Sequence, residues 1–354
     1  MGNSKAKRIT FIISELSNGG AERVVSTLSN ALCSFCNVSV IMISGSKIFY
    51  PIDNKVEIQE LFFKKGFSLK RILELRRKIK STKPDVVISF MTHINLYTIF
   101  SAISIDTKII VSERIYPRIK KRKKTQRFLR NIFYRFADGC VVQTEEIKAC
   151  LNKRISGMSV IIPNPVMPGL PINNYEHRKK VIAAVGRVEP QKRYHILIEA
   201  YLKFADKYPE YKLNIYGRGK LENSLREKYG DKINFKGFTN KLHDEIATAS
   251  IYIQTSAYEG MSNALMEAIA IGTPCISTNS FGGGAAKLTQ NGKYGILIDI
   301  DDKNDLVEKM EYLIQNSDEA ANMGSEGNRY IRSEYSVEKI SATWISYIEQ
   351  VLGR

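Results

Sequence analysis

No apolar run in this 354-residue sequence approaches the roughly 18 residues that would span a bilayer. No apolar signal core stands behind the charges of Met1-Gly2-Asn3-Ser4-Lys5 either. The expectation is a chain that neither crosses a membrane nor enters the secretory path. Ala6 occupies a place where the N-myristoylation pattern wants Ser or Thr, so lipidation there is not expected. Cysteine is scarce, with five residues, an odd number, scattered over the chain. That excludes a disulfide framework and points to a reducing cytosol. Cys33 and Cys36 form a C-x-x-C, but no second ligand pair follows at zinc spacing. They read as small residues packing the end of a helix.

Acidic residues are also few in one half. Residues 1–170 hold 29 Lys and Arg against 12 Asp and Glu, whereas residues 171–354 hold 24 of each. The whole net charge of +17 therefore lies in the first half. Such a field attracts an anionic surface, whether nucleic acid, acidic lipid or a phosphorylated substrate. Its densest stretch is Arg118 to Arg135, with nine basic residues and no acidic one. There Phe128, Leu129, Ile132, Phe133 and Phe136 recur at helical spacing beside Arg127, Arg130 and Arg135. Two readings stay open: a basic amphipathic helix lying on an anionic membrane, or a core-packed helix behind a solvated basic loop. Nucleic acid is not expected as a partner, because no helix-turn-helix, zinc-finger or RNA-recognition motif accompanies the charge.

At roughly 100–200 residues per domain, the length suggests two domains with buried cores. Strand signals at 8–13, 38–43, 86–90, 108–112 and 139–142 alternate with helical patterns, the first helix from about Ala21. The continuous apolar runs suit a parallel sheet covered on both faces. Residues 163–171, PNPVMPGLP, hold four of the ten prolines and read as an interdomain connection. Strand signals resume at 181–185, 212–216, 232–236, 251–255, 274–278 and 295–299. The expectation is an α/β protein of two Rossmann-like domains: 1–165, a Pro-rich linker 166–177, 178–335, and a C-terminal helical segment 336–354. Ligands in such sheets bind at the carboxyl ends of the strands, here in a cleft between the domains.

The sharpest motif runs from Glu259 to Pro274, EGMSNALMEAIAIGTP. Glu259 lies in the loop after strand 251–255, and Glu267 lies in a helix starting near Ser262. Gly260, Met261, Ser262 and Asn263 then frame a helix N-terminus, an anion site by geometry and dipole. Taken alone, two glutamates eight apart read as a dipole-favouring residue and a solvated helical one. They are not alone. Arg187 and Lys192 stand in the loop after the second domain's first strand, a fork and a point charge suited to phosphate oxygens. Two cations, a helix N-terminus and two flanking carboxylates describe a nucleotide-diphosphate-sugar site. Asp299-Ile300-Asp301 is formally a D-x-D, but a strand end followed by a helix cap at Asp302 accounts for it. No metal and no other cofactor is expected.

Over essentially its full length the chain resembles glycosyltransferase family 4, retaining enzymes of the GT-B fold. The segments that carry the resemblance are SNGGAERV, GRVEPQK, YGRGK and YEGMSNALMEAIAIGTP. The resemblance implies that Arg187 and Lys192 bind the donor diphosphate, that Glu259 touches the transferred sugar, and that Glu267 holds the ribose hydroxyls. It implies donor contacts at Gly217, Gly260, Met261, Ser262 and Asn263, and places Gly19 and Gly20 by the reaction centre. It also implies that the C-terminal helices cross back to the first domain. The chain departs from the family in two places. The segment FGGGAAKL, residues 281–288, lacks the carboxylate many members carry there, and Ser112-Glu113-Arg114 stands where relatives have Ser-Glu-His. Arg114 cannot serve as a base, which leaves His93 as the one histidine expected near the cleft.

The function expected on this reading is transfer of a hexose or N-acetylhexosamine from a nucleotide sugar, UDP-linked, to a polyprenyl-diphosphate-linked glycan. The basic first domain would hold the acceptor and the anionic inner face of the cell membrane through Lys120, Lys121, Arg122, Lys123, Lys124, Arg127 and Arg130. A cytoplasmic, peripheral location follows. Two alternatives are a GT-B-like UDP-sugar epimerase and a basic nucleic-acid-binding protein. The first leaves the glycine loop and basic face unexplained, and the second leaves the second domain's site idle.

Overall fold

The computed structural model describes residues 6–63, 68–118, 124–173 and 175–354. The chain divides into two compact units, residues 1–165 with 337–354, and residues 166–336. Each is built on its own parallel sheet.

In the first unit the strands are β1 (Arg8–Ile13), β2 (Asn37–Met42), β3 (Glu57–Glu60), β4 (Val86–Phe90), β5 (Lys108–Ser112), β6 (Gly139–Val142) and β7 (Ser159–Ile161). Their order across the sheet is β3-β2-β1-β4-β5-β6-β7. The helices between them are α1 (Gly20–Leu32), α2 (Leu69–Thr82), α3 (Thr92–Ala102), α4 (Lys124–Phe133), α5 (Glu145–Ala149) and α6 (Lys153–Met158). Alternation along β1 explains the layering, because successive side chains of a strand point to opposite faces. Ile9, Phe11 and Ile13 join α1 residues Val25 and Leu28 in one core, while Ile12 joins α2 and α3 residues Ile79 and Ile99 in the other. The expected strands are present. Two short ones, β3 and β7, lie at the edges, where the runs are brief and, in β3, polar.

The second unit repeats the plan. Its strands are β8 (Lys179–Val185), β9 (Lys212–Tyr216), β10 (Asn234–Gly237), β11 (Ala249–Gln254), β12 (Cys275–Thr278) and β13 (Ile296–Ile298), in the order β10-β9-β8-β11-β12-β13. The helices are α7 (Tyr194–Lys207), α8 (Glu222–Tyr229), α9 (Leu242–Ala247), α10 (Asn263–Ile271), α11 (Gly284–Leu288), α12 (Lys303–Gln315) and α13 (Ser317–Glu334). The proline-rich stretch is pinned to this unit: Val166 and Leu170 are buried in its core, and Arg332 donates to the carbonyls of Leu170 and Pro171.

The last helix, α14 (Val337–Leu352), returns to the first unit and packs on α1. Its Trp344 is fully buried, with its ring 6.2 Å from that of Phe90 at the end of β4. In both sheets the chain reverses its direction of winding between the first strand and the fourth, β1 beside β4 and β8 beside β11. Loops that leave the carboxyl ends of such a pair diverge and open a crevice, which is where doubly wound sheets bind ligands.

Candidate active site

At the second unit's reversal point, β8 and β11 lie side by side, with Ala183 opposite Tyr252. The loops leaving their carboxyl ends are stitched together. Ala257 N–H donates to the Gln191 carbonyl at 2.9 Å, and Gln191 Nε2 returns a bond to the Tyr258 carbonyl at 2.7 Å. The Thr255 hydroxyl donates to the Lys192 carbonyl at 2.8 Å. These bonds fix Lys192 and Glu259 face to face, Nζ to Oε1 at 2.8 Å, with side chains only 14% and 15% exposed. Ser256 Oγ donates to the same Glu259 oxygen at 2.9 Å. With both charges largely buried, their attraction offsets part of the hydration each has lost. Arg187 is exposed on the same loop. Burial and the Glu259 carboxylate raise the Tyr258 phenol pKa while Arg187 opposes, so all three share one electrostatic neighbourhood.

Helix α10 starts one residue later than its first cue. Ser262 is the cap: its hydroxyl accepts from Leu265 N–H at 3.4 Å and donates to Gln254 Oε1 at 2.5 Å, which ties the helix to the end of β11. Asn263 opens the helix, and Gly260 and Met261 are buried just before it. The glycine loop after β12 lies directly on this turn. A Cβ on Gly284 would come within 1.8 Å of the Gly260 carbonyl, so only glycine allows that approach. Gly217 has a similar backbone reason, since its Cβ would meet the Gly186 carbonyl at 2.2 Å, at φ +130°. Of the D-x-D, Asp301 pairs with Arg193 at 3.1 Å, and the next residue, Asp302, caps α12 by accepting from Asn304 and Asp305 N–H groups.

Glu267 is not a solvated helical residue. It is 4% exposed on the inner side of α10, and its Oε2 lies 3.1 Å from Nε2 of His243 on α9. No motif surrounds His243. The available signal was its position, six residues past the carboxyl end of β10. His93, the histidine expected near the site, is exposed on the first turn of α3.

In the first unit, Gly19 caps α1 and Gly20 begins it, with Glu22 in the first turn. Glu113 and Arg114 follow β5 and are both buried. Glu113 accepts hydrogen bonds from the Tyr134 hydroxyl and, at 3.0 Å, from Thr92 Oγ1. Arg114 is packed among aromatic rings. Its guanidinium carbon lies 4.6 Å from the Phe90 ring centre and 6.0 Å from that of Trp344, and Nη1 donates to Asn164 Oδ1. Burial pulls its pKa down to about 9.

The basic helix needs a correction. Arg130, expected on the anionic face, is 1% exposed, with Nη2 3.2 Å from Asn131 Oδ1. Phe128 is instead 64% exposed, and Arg127 is exposed with it, while Phe133 turns inward against Phe100 with ring centres 4.6 Å apart. The apolar stripe is thus split between core and surface. Lys124 begins the helix and is exposed; Lys120, Lys121, Arg122 and Lys123 lie outside the described residues. Among the described residues, no helix is long and apolar enough to cross a membrane.

The family comparisons agree with this fold. Residues 18–169 match the model of Glycosyltransferase Family 4, and residues 171–330 match that of Glycosyl transferases group 1. The chain belongs to the glycosyltransferases of the GT-B fold, its two halves to these two domain families. It is 26% identical, over 97% of its length and 99% of the relative's, to a Campylobacter jejuni protein. That protein is the GalNAc-α-(1→4)-GalNAc-α-(1→3)-diNAcBac-PP-undecaprenol α-1,4-N-acetyl-D-galactosaminyltransferase. An uncharacterized glycosyltransferase of Haemophilus influenzae is 27% identical over 96% of this chain and 99% of its own. Among solved structures, the Anabaena protein HepE with UDP and glucose superimposes with a TM-score of 0.82 at 14% identity, covering 96% of this chain and 99% of that one. A sucrose-phosphate synthase from Thermosynechococcus elongatus does so at 0.84 and 16%, covering 98% and 99%.

Proposed function

We propose that this glycosyltransferase retains anomeric configuration and moves a hexose or N-acetylhexosamine from a UDP-sugar to a polyprenyl-diphosphate-linked glycan in cell-surface polysaccharide assembly. The observation that carries the donor side is the Lys192–Glu259 pair at the strand reversal point of the second sheet. The donor diphosphate lies on Lys192, Arg187 and the N-terminus of α10, walled by Gly217, Gly260, Met261, Ser262 and Asn263. The sugar lies on Glu259 and the ribose on Glu267. As the glycosidic bond breaks, positive charge grows at the anomeric carbon and negative charge on the β-phosphate. Glu259 and the two cations meet these charges where they develop, the arrangement that lowers a barrier rather than merely binding substrate. The cations do for the leaving group what a metal does elsewhere, so no metal is required.

The acceptor rests on two supports. The Campylobacter relative is named for an undecaprenyl-diphosphate glycan, and the surplus positive charge lies wholly in residues 1–170. Gly19 and Gly20 at the start of α1 would approach the acceptor. Lys120 to Lys124 and Arg127, with Phe128 as an apolar anchor, would hold an anionic bilayer at the cytoplasmic face. His93 and Glu113 have no step assigned.

The experiment is transfer from UDP-GalNAc, UDP-GlcNAc or UDP-glucose to a synthetic polyprenyl-diphosphate-linked GalNAc, with the product linkage read by NMR. One added α-linked sugar is expected. A β linkage would overturn retention, and transfer from GDP-sugars alone would overturn the choice of UDP.

A further inference from the structure

His243 has so far served only as Glu267's neighbour. Its setting is more deliberate than that. Helix α9 has only six residues, too few to hold itself in water. Side chains from elsewhere in the unit fasten it. Tyr216 donates to Glu245 Oε2 at 3.2 Å, the Thr273 hydroxyl donates to the Ile246 carbonyl at 2.8 Å, and Asn173 Nδ2 donates to the Ala247 carbonyl at 2.7 Å. Ile246 and Ala247 are buried, and α9 packs along α10. His243 therefore projects from a fixed platform, with 27% of its side chain exposed against 5% for Glu267.

A buried carboxylate on a helix has several rotamers, and only a few present its oxygens to a ligand. A neighbour that donates to one oxygen selects among them, as outer-shell partners do for ligating side chains. Nε2 of His243 engages Oε2. A carboxylate has about four lone-pair sites, so a donor on Oε2 does not by itself exhaust its capacity to accept from the hydroxyls of a vicinal diol. We propose that His243 is a positioning residue that orients the Glu267 carboxylate to accept the 2′- and 3′-hydroxyls of the donor ribose. This rests on the assignment of Glu267 to the ribose made above.

The test is calorimetric binding of two probes, UDP and 2′,3′-dideoxy-UDP (or the GDP pair, should the protein bind that nucleotide instead). The proteins are wild type, Glu267→Gln, His243→Ala and His243→Gln. The wild type is expected to prefer the diol nucleotide. His243→Ala should lose that preference by roughly tenfold through weaker UDP binding, the scale of one hydrogen bond to a charged group, with dideoxy-UDP unchanged. His243→Gln, whose amide can still donate to Oε2, should recover most of it. Because the readout is a ratio of two nucleotides on one protein, a purely structural role for His243 would weaken both equally and overturn the proposal. If Glu267→Gln abolishes the preference while His243→Ala keeps it, the positioning role fails and the ribose assignment stands. If Glu267→Gln keeps the preference, the ribose assignment itself fails.

Discussion

Nζ of Lys192 and Oε1 of Glu259 stand 2.8 Å apart, so the cation assigned to the diphosphate and the carboxylate assigned to the sugar are one ion pair. On the proposed reading, a diphosphate on Lys192 would compete with Glu259 for the same ammonium. Donor binding and release of Glu259 toward the sugar would then be a single exchange of partners.

Glu259→Gln should separate the two halves of that exchange. Turnover should fall on the order of 10²-fold or more, as for loss of a group that acts in the transition state. UDP affinity, measured by calorimetry, should hold or tighten, because a competitor for Lys192 has gone. A loss of UDP affinity matching the loss of turnover would mean that Glu259 binds rather than promotes.

Lys192→Ala should cost about 3 kcal/mol or more of transition-state stabilisation, the usual scale for a preorganised charge contact. Activity should persist in excess EDTA. Abolition by chelator with rescue by manganese would return attention to Asp299 and Asp301.

Sedimentation with anionic vesicles should be strong at low salt and weak at high salt, since exposed charges are screened within about 8 Å at physiological ionic strength. Replacing Lys120, Lys121, Arg122, Lys123 and Lys124 with Gln should release the protein, at roughly 1 kcal/mol per charge near the surface. Arg130→Gln should instead lower the melting temperature and leave vesicle binding intact, because that side chain is buried. Binding that survives the fivefold change would remove the membrane role from the basic run.

Trp344→Ala should destabilise the first unit by about 3–5 kcal/mol, the range for truncating a fully buried large aromatic. It also strips one aromatic face from Arg114. Thermal unfolding should show the loss. A shift of only a degree or two would mean that α14 merely lies on the surface.

The sequence made the buried strands readable because a parallel strand covered on both faces is a continuous apolar run, as in RITFII and VVISF. It hid β3, whose EIQE is polar because it is an edge. The pairing of Lys192 with Glu259 was approachable, since both follow strand ends that the doubly wound order makes neighbours. His243 was not, because nothing in NKLHDE distinguishes it until α9 is laid along α10. Arg130 shows a different limit. Periodicity gave α4 an apolar stripe but could not say which part of the stripe the core would take. One of Arg114's aromatic neighbours, Trp344, lies 230 positions away, and no local pattern carries such a contact.

The return of α14 sets an order of events during synthesis. The first sheet is translated early, yet the tryptophan that seals its core lies downstream of the second unit. Every residue of the second unit emerges before it. The nascent first unit must therefore wait with one apolar face uncovered while the second unit, contiguous in sequence, is free to finish. The half made first is completed last, and its exposed face during that interval is where a chaperone, or another nascent chain, would find it.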